Sequence, residues 1–115
     1  MTIANTKVVD TTSKYIVQSK GIKDETDQIV VDAEKLTGGT NESLVSLIEC
    51  FYLIEGTGTL TLSASSEEND LTLTGKGKYG LRPDQLTFGN DKQIFLTTDS
   101  NVESYLLVTE FRRNN

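Results

Sequence analysis

Histidine is absent from all 115 residues, so no side chain here acts as an imidazole base. That removes the commonest general base, the Ser-His and Cys-His nucleophile pairs and the usual transition-metal ligand. Cysteine occurs once, at Cys50, which leaves no internal disulfide. Flanked by Glu49 and Phe51, this thiol lacks activating cationic neighbours and reads as a small buried hydrophobe in a strand. A zinc site would have to rely on carboxylates, which are poor sole ligands for that ion. Three groupings remain. Gly75-Lys76-Gly77-Lys78-Tyr79-Gly80 matches G-x-G-x-x-G, and Asp24-Glu25-Asp27 and Glu67-Glu68-Asp70 are acidic runs. The glycine motif cradles a pyrophosphate only where it leads from a strand into a helix. Here Leu81-Arg82-Pro83 follows without helical period, so the glycines read as a bulge or sheet corner. Calcium takes several oxygens from one loop, but neither acidic run has EF-hand spacing or its central glycine, and both read as solvated charge. Tryptophan is absent and other aromatics are few, which weakens glycoside-hydrolase and sugar-binding readings. The sequence thus predicts no catalytic residue, no cofactor and no metal: a structural or binding module, not an enzyme.

The elements that carry these residues are strands. Threonine sits beside Val, Ile, Leu and Tyr in short alternating runs, which suits a pleated surface. Turn residues punctuate the runs at Gly21, Gly38-Gly39, Gly56-Thr57-Gly58, Asn69-Asp70, Gly80, Gly89-Asn90-Asp91 and Asp99-Ser100-Asn101. Strands are predicted over 7–9, 14–18, 28–32, 43–54, 57–64, 71–78, 85–88, 93–97 and 102–111, with one helical turn at Ala33-Glu34-Lys35-Leu36. The fold class is all-β, an antiparallel β-sandwich of jelly-roll type, with a short arm (about 1–6) and a tail (about 112–115). Thr59-Leu60-Thr61-Leu62 answered by Leu71-Thr72-Leu73-Thr74 predicts a hairpin with leucines on one face. With a tight turn at Glu55-Gly56-Thr57-Gly58, residues 43–78 are expected to form a meander.

Two strands are apolar on both faces. In one, Leu44, Ile48, Cys50, Tyr52 and Ile54 oppose Val45, Leu47, Phe51 and Leu53; in the other, Val102, Leu106 and Val108 oppose Tyr105, Leu107 and Phe111. A two-layer sandwich buries only one face of each sheet. The second face must meet the terminal arm, a loop such as residues 22–36, or another chain.

Composition bounds the rest. A chain of 115 residues with 36% hydrophobic content buries a core without staples. Seventeen acids against eleven bases give a net charge of −6, which disfavours a phosphate-binding face. The basic clusters, Lys76 with Lys78 and Arg112 with Arg113, read as solvated edges. No apolar run is long enough to cross a bilayer, so no membrane partner is expected. The first residues have neither a basic start nor an apolar stretch, and no secretory leader is expected.

Lys14-Tyr15-Ile16-Val17-Gln18-Ser19-Lys20-Gly21, the DQIVVDA run from Asp27 to Ala33, Ile54-Glu55-Gly56-Thr57-Gly58 and Gly77-Lys78-Tyr79-Gly80-Leu81 resemble small virion proteins of tailed bacteriophages, marine phages notably. These are strand and turn motifs and carry no family catalytic residues. The resemblance implies a β-sandwich that decorates or cements a capsid, made in the host cytoplasm and located on the virion surface. It implies the major capsid protein as partner and a homo-oligomer, as in trimers at lattice three-fold positions. Candidate contacts are then Thr2 and Ile3 in the arm, Phe51, Leu53, Tyr105, Leu107 and Phe111 on the two doubly apolar strands, and Arg112 and Arg113 at the end. The alternatives are a carbohydrate-binding or adhesin-like module, and a neck or tail component of the same particle.

Overall fold

In the computed structural model, residues 3–64, 70–80 and 88–114 are described. Thr2, Glu67, Glu68 and the predicted turn Leu81-Arg82-Pro83-Asp84 lie outside them. Among the described residues ten strands run in order: β1 (Ala4–Asp10), β2 (Lys14–Gly21), β3 (Gln28–Asp32), β4 (Leu44–Gly56), β5 (Leu60–Ser63), β6 (Leu71–Leu73), β7 (Lys76–Tyr79), β8 (Phe88–Asp91), β9 (Gln93–Thr98) and β10 (Val102–Asn114). A 3-10 turn, Ala33–Lys35, follows β3 where the sequence predicts a helical turn, and the Asp32 carboxylate caps it by accepting from the Glu34 amide.

All pairings are antiparallel and fall into two sheets. The larger has the order β1-β2-β10-β4-β7, with β8 also on β4; the smaller has the order β3-β9-β5-β6. Early strands pair with late ones, β2 with β10 and β3 with β9, while the chain passes repeatedly between layers. This is the winding of a jelly roll, as the alternation of short strands and turns predicts.

The core lies between the sheets. Tyr15, Val17, Val45, Leu47, Cys50, Ile54, Tyr105, Leu107 and Phe111 of the larger sheet face Leu60, Leu62, Leu73, Ile94 and Leu96 of the smaller. Three local irregularities put them there. Glu110 pairs with Glu49 but Phe111 pairs with Leu47, so Ile48 is an extra residue in β4. This bulge shifts the inward set from Val45 and Leu47 to Cys50, Tyr52 and Ile54. Glu103 is extra in β10, which lets Val102 and Tyr105 both point inward. Val30 is extra in β3, and Val30 and Val31 are both buried.

The predicted hairpin forms, with Leu60 opposite Leu73 and Leu62 opposite Leu71. The predicted meander does not. β4 and β5 lie in different sheets, and the chain crosses between them at Gly56 and Gly58. It then leaves β6 and re-enters the larger sheet at Gly75, whose φ of 67° is the left-handed conformation that favours glycine. The single strand expected over 71–78 is therefore two strands in two sheets. The G-x-G-x-x-G match is a sheet corner, as its setting predicts.

The first and last strands lie near the two ends of the described residues. β1 lies beside β2, and the Asn5 amide donates to the Ile29 carbonyl of β3 at 2.9 Å, tying the edges of the two sheets. The predicted tail is the end of β10, which is strand to Asn114. Residues 22–36 carry β3 and the 3-10 turn, and β3 joins the smaller sheet instead of covering the outer face of the larger.

Candidate protein-contact face

The outer face of the larger sheet is built from residues one step out of phase with the core. Register places Leu106 against Leu53 and Val108 against Phe51 across β10 and β4. β7 extends these rows, with Lys76 opposite Leu53 and Lys78 opposite Phe51. On the other side, Lys20 pairs with Leu106, Gln18 with Val108 and Ile16 with Glu110. The next row along the strands is Glu110 opposite Glu49. The face is thus an apolar patch of Ile16, Phe51, Leu53, Leu106 and Val108, with carboxylates at one end and lysines on its flanks.

Its centre is open. Phe51 is 46% and Leu53 41% exposed, and Ile16, Leu106 and Val108 are half-buried. The Lys78 ammonium stands 4.3 Å from the centre of the Phe51 ring, a cation–π contact at the surface. Two shallow depressions flank that ring. One, of about 160 Å³, is lined by Leu53, Gly77, Leu106 and Val108; the other, of about 140 Å³, by Ile16, Glu49, Val108 and Glu110. Gly77 is small for a reason: a Cβ there would lie 2.8 Å from the Tyr52 hydroxyl.

The predicted contact residues divide. Phe51, Leu53 and Arg112 are exposed. Tyr105, Leu107 and Phe111 are not contact residues, because the alternation of β10 turns them into the core, where Phe111 stacks on Tyr15 with ring centres 6.2 Å apart. The outward set of that strand is Leu106, Val108, Glu110 and Arg112. Ile3 is half-buried and packs against the core. Arg113 is not a solvated edge. Its guanidinium is buried, donates to the carbonyls of Thr11 and Thr37, and lies 3.6 Å from Asp10. It clamps the end of β10 to the β1–β2 turn and to the loop after the 3-10 turn. Burial pushes the Asp10 carboxyl up, but hydrogen bonds from Thr37 and the charge of Lys7 outweigh it, and its pKa lies below the ordinary value.

A search of family models finds no match, and a search of curated proteins finds none either. Among solved structures, a cupin domain from Bordetella pertussis Tohama I is similar over 99% of this chain and 95% of that one, at 10% identity and a TM-score of 0.46.

Cys50 is fully buried, and burial with the nearby Glu49 charge pushes its thiol up to about 12, so it is an inert core residue. The acidic run at Asp24-Glu25-Asp27 is not simply solvated charge. Asp24 and Asp27 have positive φ, and this turns the Glu25 side chain inward, where it is 1% exposed. There it accepts a 2.5 Å hydrogen bond from the Tyr105 hydroxyl. Burial, together with this bond and the carboxylate charge, pushes the Tyr105 phenol well up. A Cβ on Gly21, opposite Tyr105 in β2, would collide with both groups. Beside this pair, an open cleft of about 470 Å³ is lined by Ile22, Lys23, Ser100, Asn101, Val102 and Glu103. Among the described residues no three His, Cys, Asp or Glu side chains group as a metal site, and no helix is long and apolar enough to cross a membrane.

Proposed function

We propose that this chain is a non-catalytic structural module that works by protein–protein contact, and specifically a decoration or cement protein of a tailed-phage head. The observation that carries the reading is the apolar patch on the outer face of the larger sheet. Phe51 and Leu53 stand exposed among Ile16, Leu106 and Val108, and neither the N-terminal strand nor residues 22–36 cross over them. Contiguous apolar surface rimmed by charge is the mark of a contact site. Completing the burial of Phe51 and Leu53 against a partner contributes about 1 kcal/mol each. The absence of histidine and the full burial of Cys50 support a non-catalytic role. The strand and turn motifs shared with phage virion proteins supply the capsid as the setting.

The test is cosedimentation of the purified chain with undecorated heads of the phage that encodes it. The wild-type chain is expected to pellet with heads. A Phe51→Asp, Leu53→Asp variant is expected to stay in the supernatant while keeping the wild-type circular dichroism spectrum. A wild-type chain that remains in the supernatant at every concentration overturns the proposal.

A further inference from the structure

The charges around the patch are arranged against the interest of the isolated chain. Glu49 and Glu110 stand directly opposite each other on β4 and β10, both half-buried. Like charges opposed across a sheet are destabilising. Among the described residues no cation forms an ion pair with either glutamate. Lys76 and Lys78, registered against Leu53 and Phe51, likewise meet no described carboxylate. Glu49, Glu110, Lys76 and Lys78 edge the patch, with Lys20 at its far flank, and none of the four meets a counterion among the described residues.

Their positions are self-complementary. The glutamates lie two residues beyond Phe51 and Val108 along the strands, a step of about 7 Å. The lysines lie one strand beyond Leu53 and Phe51 across the sheet, a step of about 5 Å. Because these steps are similar, a two-fold axis in the plane of the face, diagonal to the strands, lays the glutamate pair of one copy over the lysine pair of another. Symmetry then provides the reverse pairing at the same time. The relief of the face agrees. Phe51, with Lys78 over its ring, is an exposed pair. Next to it lies the depression of about 140 Å³ floored by Ile16 and Val108 and edged by Glu49 and Glu110.

We propose that the occupant of this face is a second copy of the chain, forming a two-fold dimer in which the Phe51–Lys78 pair of each protomer meets the acid-edged depression of the other. This rests on the contact face of the proposed function and names what fills that face in the free chain, so that a head and a second copy compete for it. Such a contact closes at two copies, whereas the trimer implied by the phage resemblance would need two different surfaces.

Charge exchange tests the geometry. By light scattering, the 115-residue chain is expected to weigh about twice its 12.7 kDa and to dissociate as salt is raised. Glu49→Lys with Glu110→Lys leaves only lysines at these four positions, and Lys76→Glu with Lys78→Glu leaves only glutamates. Each double variant alone is expected to lose self-affinity by on the order of a hundredfold, since like charges then meet across the axis. Their equimolar mixture is expected to regain the dimer, because every cross-axis pair is then of opposite sign. Circular dichroism confirms that each variant folds. A monomeric wild-type chain, a dimer that survives in both double variants, or a mixture that stays monomeric overturns the proposal. The head-binding assay separates the two readings. A monomer that pellets with heads through Phe51 and Leu53 overturns the dimer and leaves the proposed function standing, and a dimer that ignores heads does the opposite.

Discussion

Arg113 buries a guanidinium at the end of the last strand, and its value lies in what would be left behind without it. The carbonyls of Thr11 and Thr37 and the Asp10 carboxylate all point at that group. Removing one partner of a buried charged network costs more than the network's net contribution, because the other groups stay desolvated. Arg113→Met is therefore expected to lower stability to urea by about 2–3 kcal/mol. Arg112→Ala, at the exposed neighbouring position, should stay within about 0.5 kcal/mol. Asp10 adds a pH dependence. Its folded pKa is depressed, so its contribution is present above the ordinary 3.8 and is lost as pH falls through the folded value. Asp10→Asn should destabilise by about 1 kcal/mol at neutral pH. That gap should close below pH 3.8, as read from urea melts at a series of pH values. Neither role was legible in the sequence. Two adjacent arginines at a chain end look alike, and only the inward phase of β10 separates them. Glu25 was hidden in the same way, since its inward turn depends on left-handed backbone at Asp24 and Asp27, which aspartate adopts without announcing it.

At the level of elements, alternation told strand from helix, and matching Leu-Thr runs told the β5–β6 hairpin, because both signals are local. Sheet membership was hidden, since a strand that changes layers at a glycine has the same period as one that does not. The faces of β4 and β10 were misassigned for a related reason. One extra residue at Ile48 or Glu103 inverts the inward set without disturbing composition. The corner glycines make this testable. Gly75 has φ of 67° with nothing near its missing Cβ, so Gly75→Ala meets only the backbone cost, about 1 kcal/mol. Gly80 has φ of 83°, and a Cβ there would overlap the Ile48 carbonyl at the β4 bulge. Gly80→Ala should therefore cost at least about twice as much, and comparing the two by thermal melts separates backbone strain from steric overlap.

For the whole molecule, the outer sheet face sets stability against assembly. A chain evolved only for its own stability gains from replacing one of two glutamates opposed across β4 and β10. In Glu110→Lys, the new ammonium faces Glu49 across the strands. Opposite charges in that position contribute about 0.2–1 kcal/mol, and the like-charge penalty disappears with them. The dilute chain is therefore expected to melt slightly higher than wild type, by up to about 1 kcal/mol in urea. In the dimer the same lysine faces the Lys76 and Lys78 row of the other copy, so self-association should weaken. A variant that is more stable when dilute yet less associated when concentrated is the outcome expected of a residue kept for a partner. Equilibrium urea melts at low and high protein concentration measure both arms. If Glu110→Lys instead lowers stability when dilute, the opposed glutamates are already satisfied within the chain, and the case for a partner at this row fails.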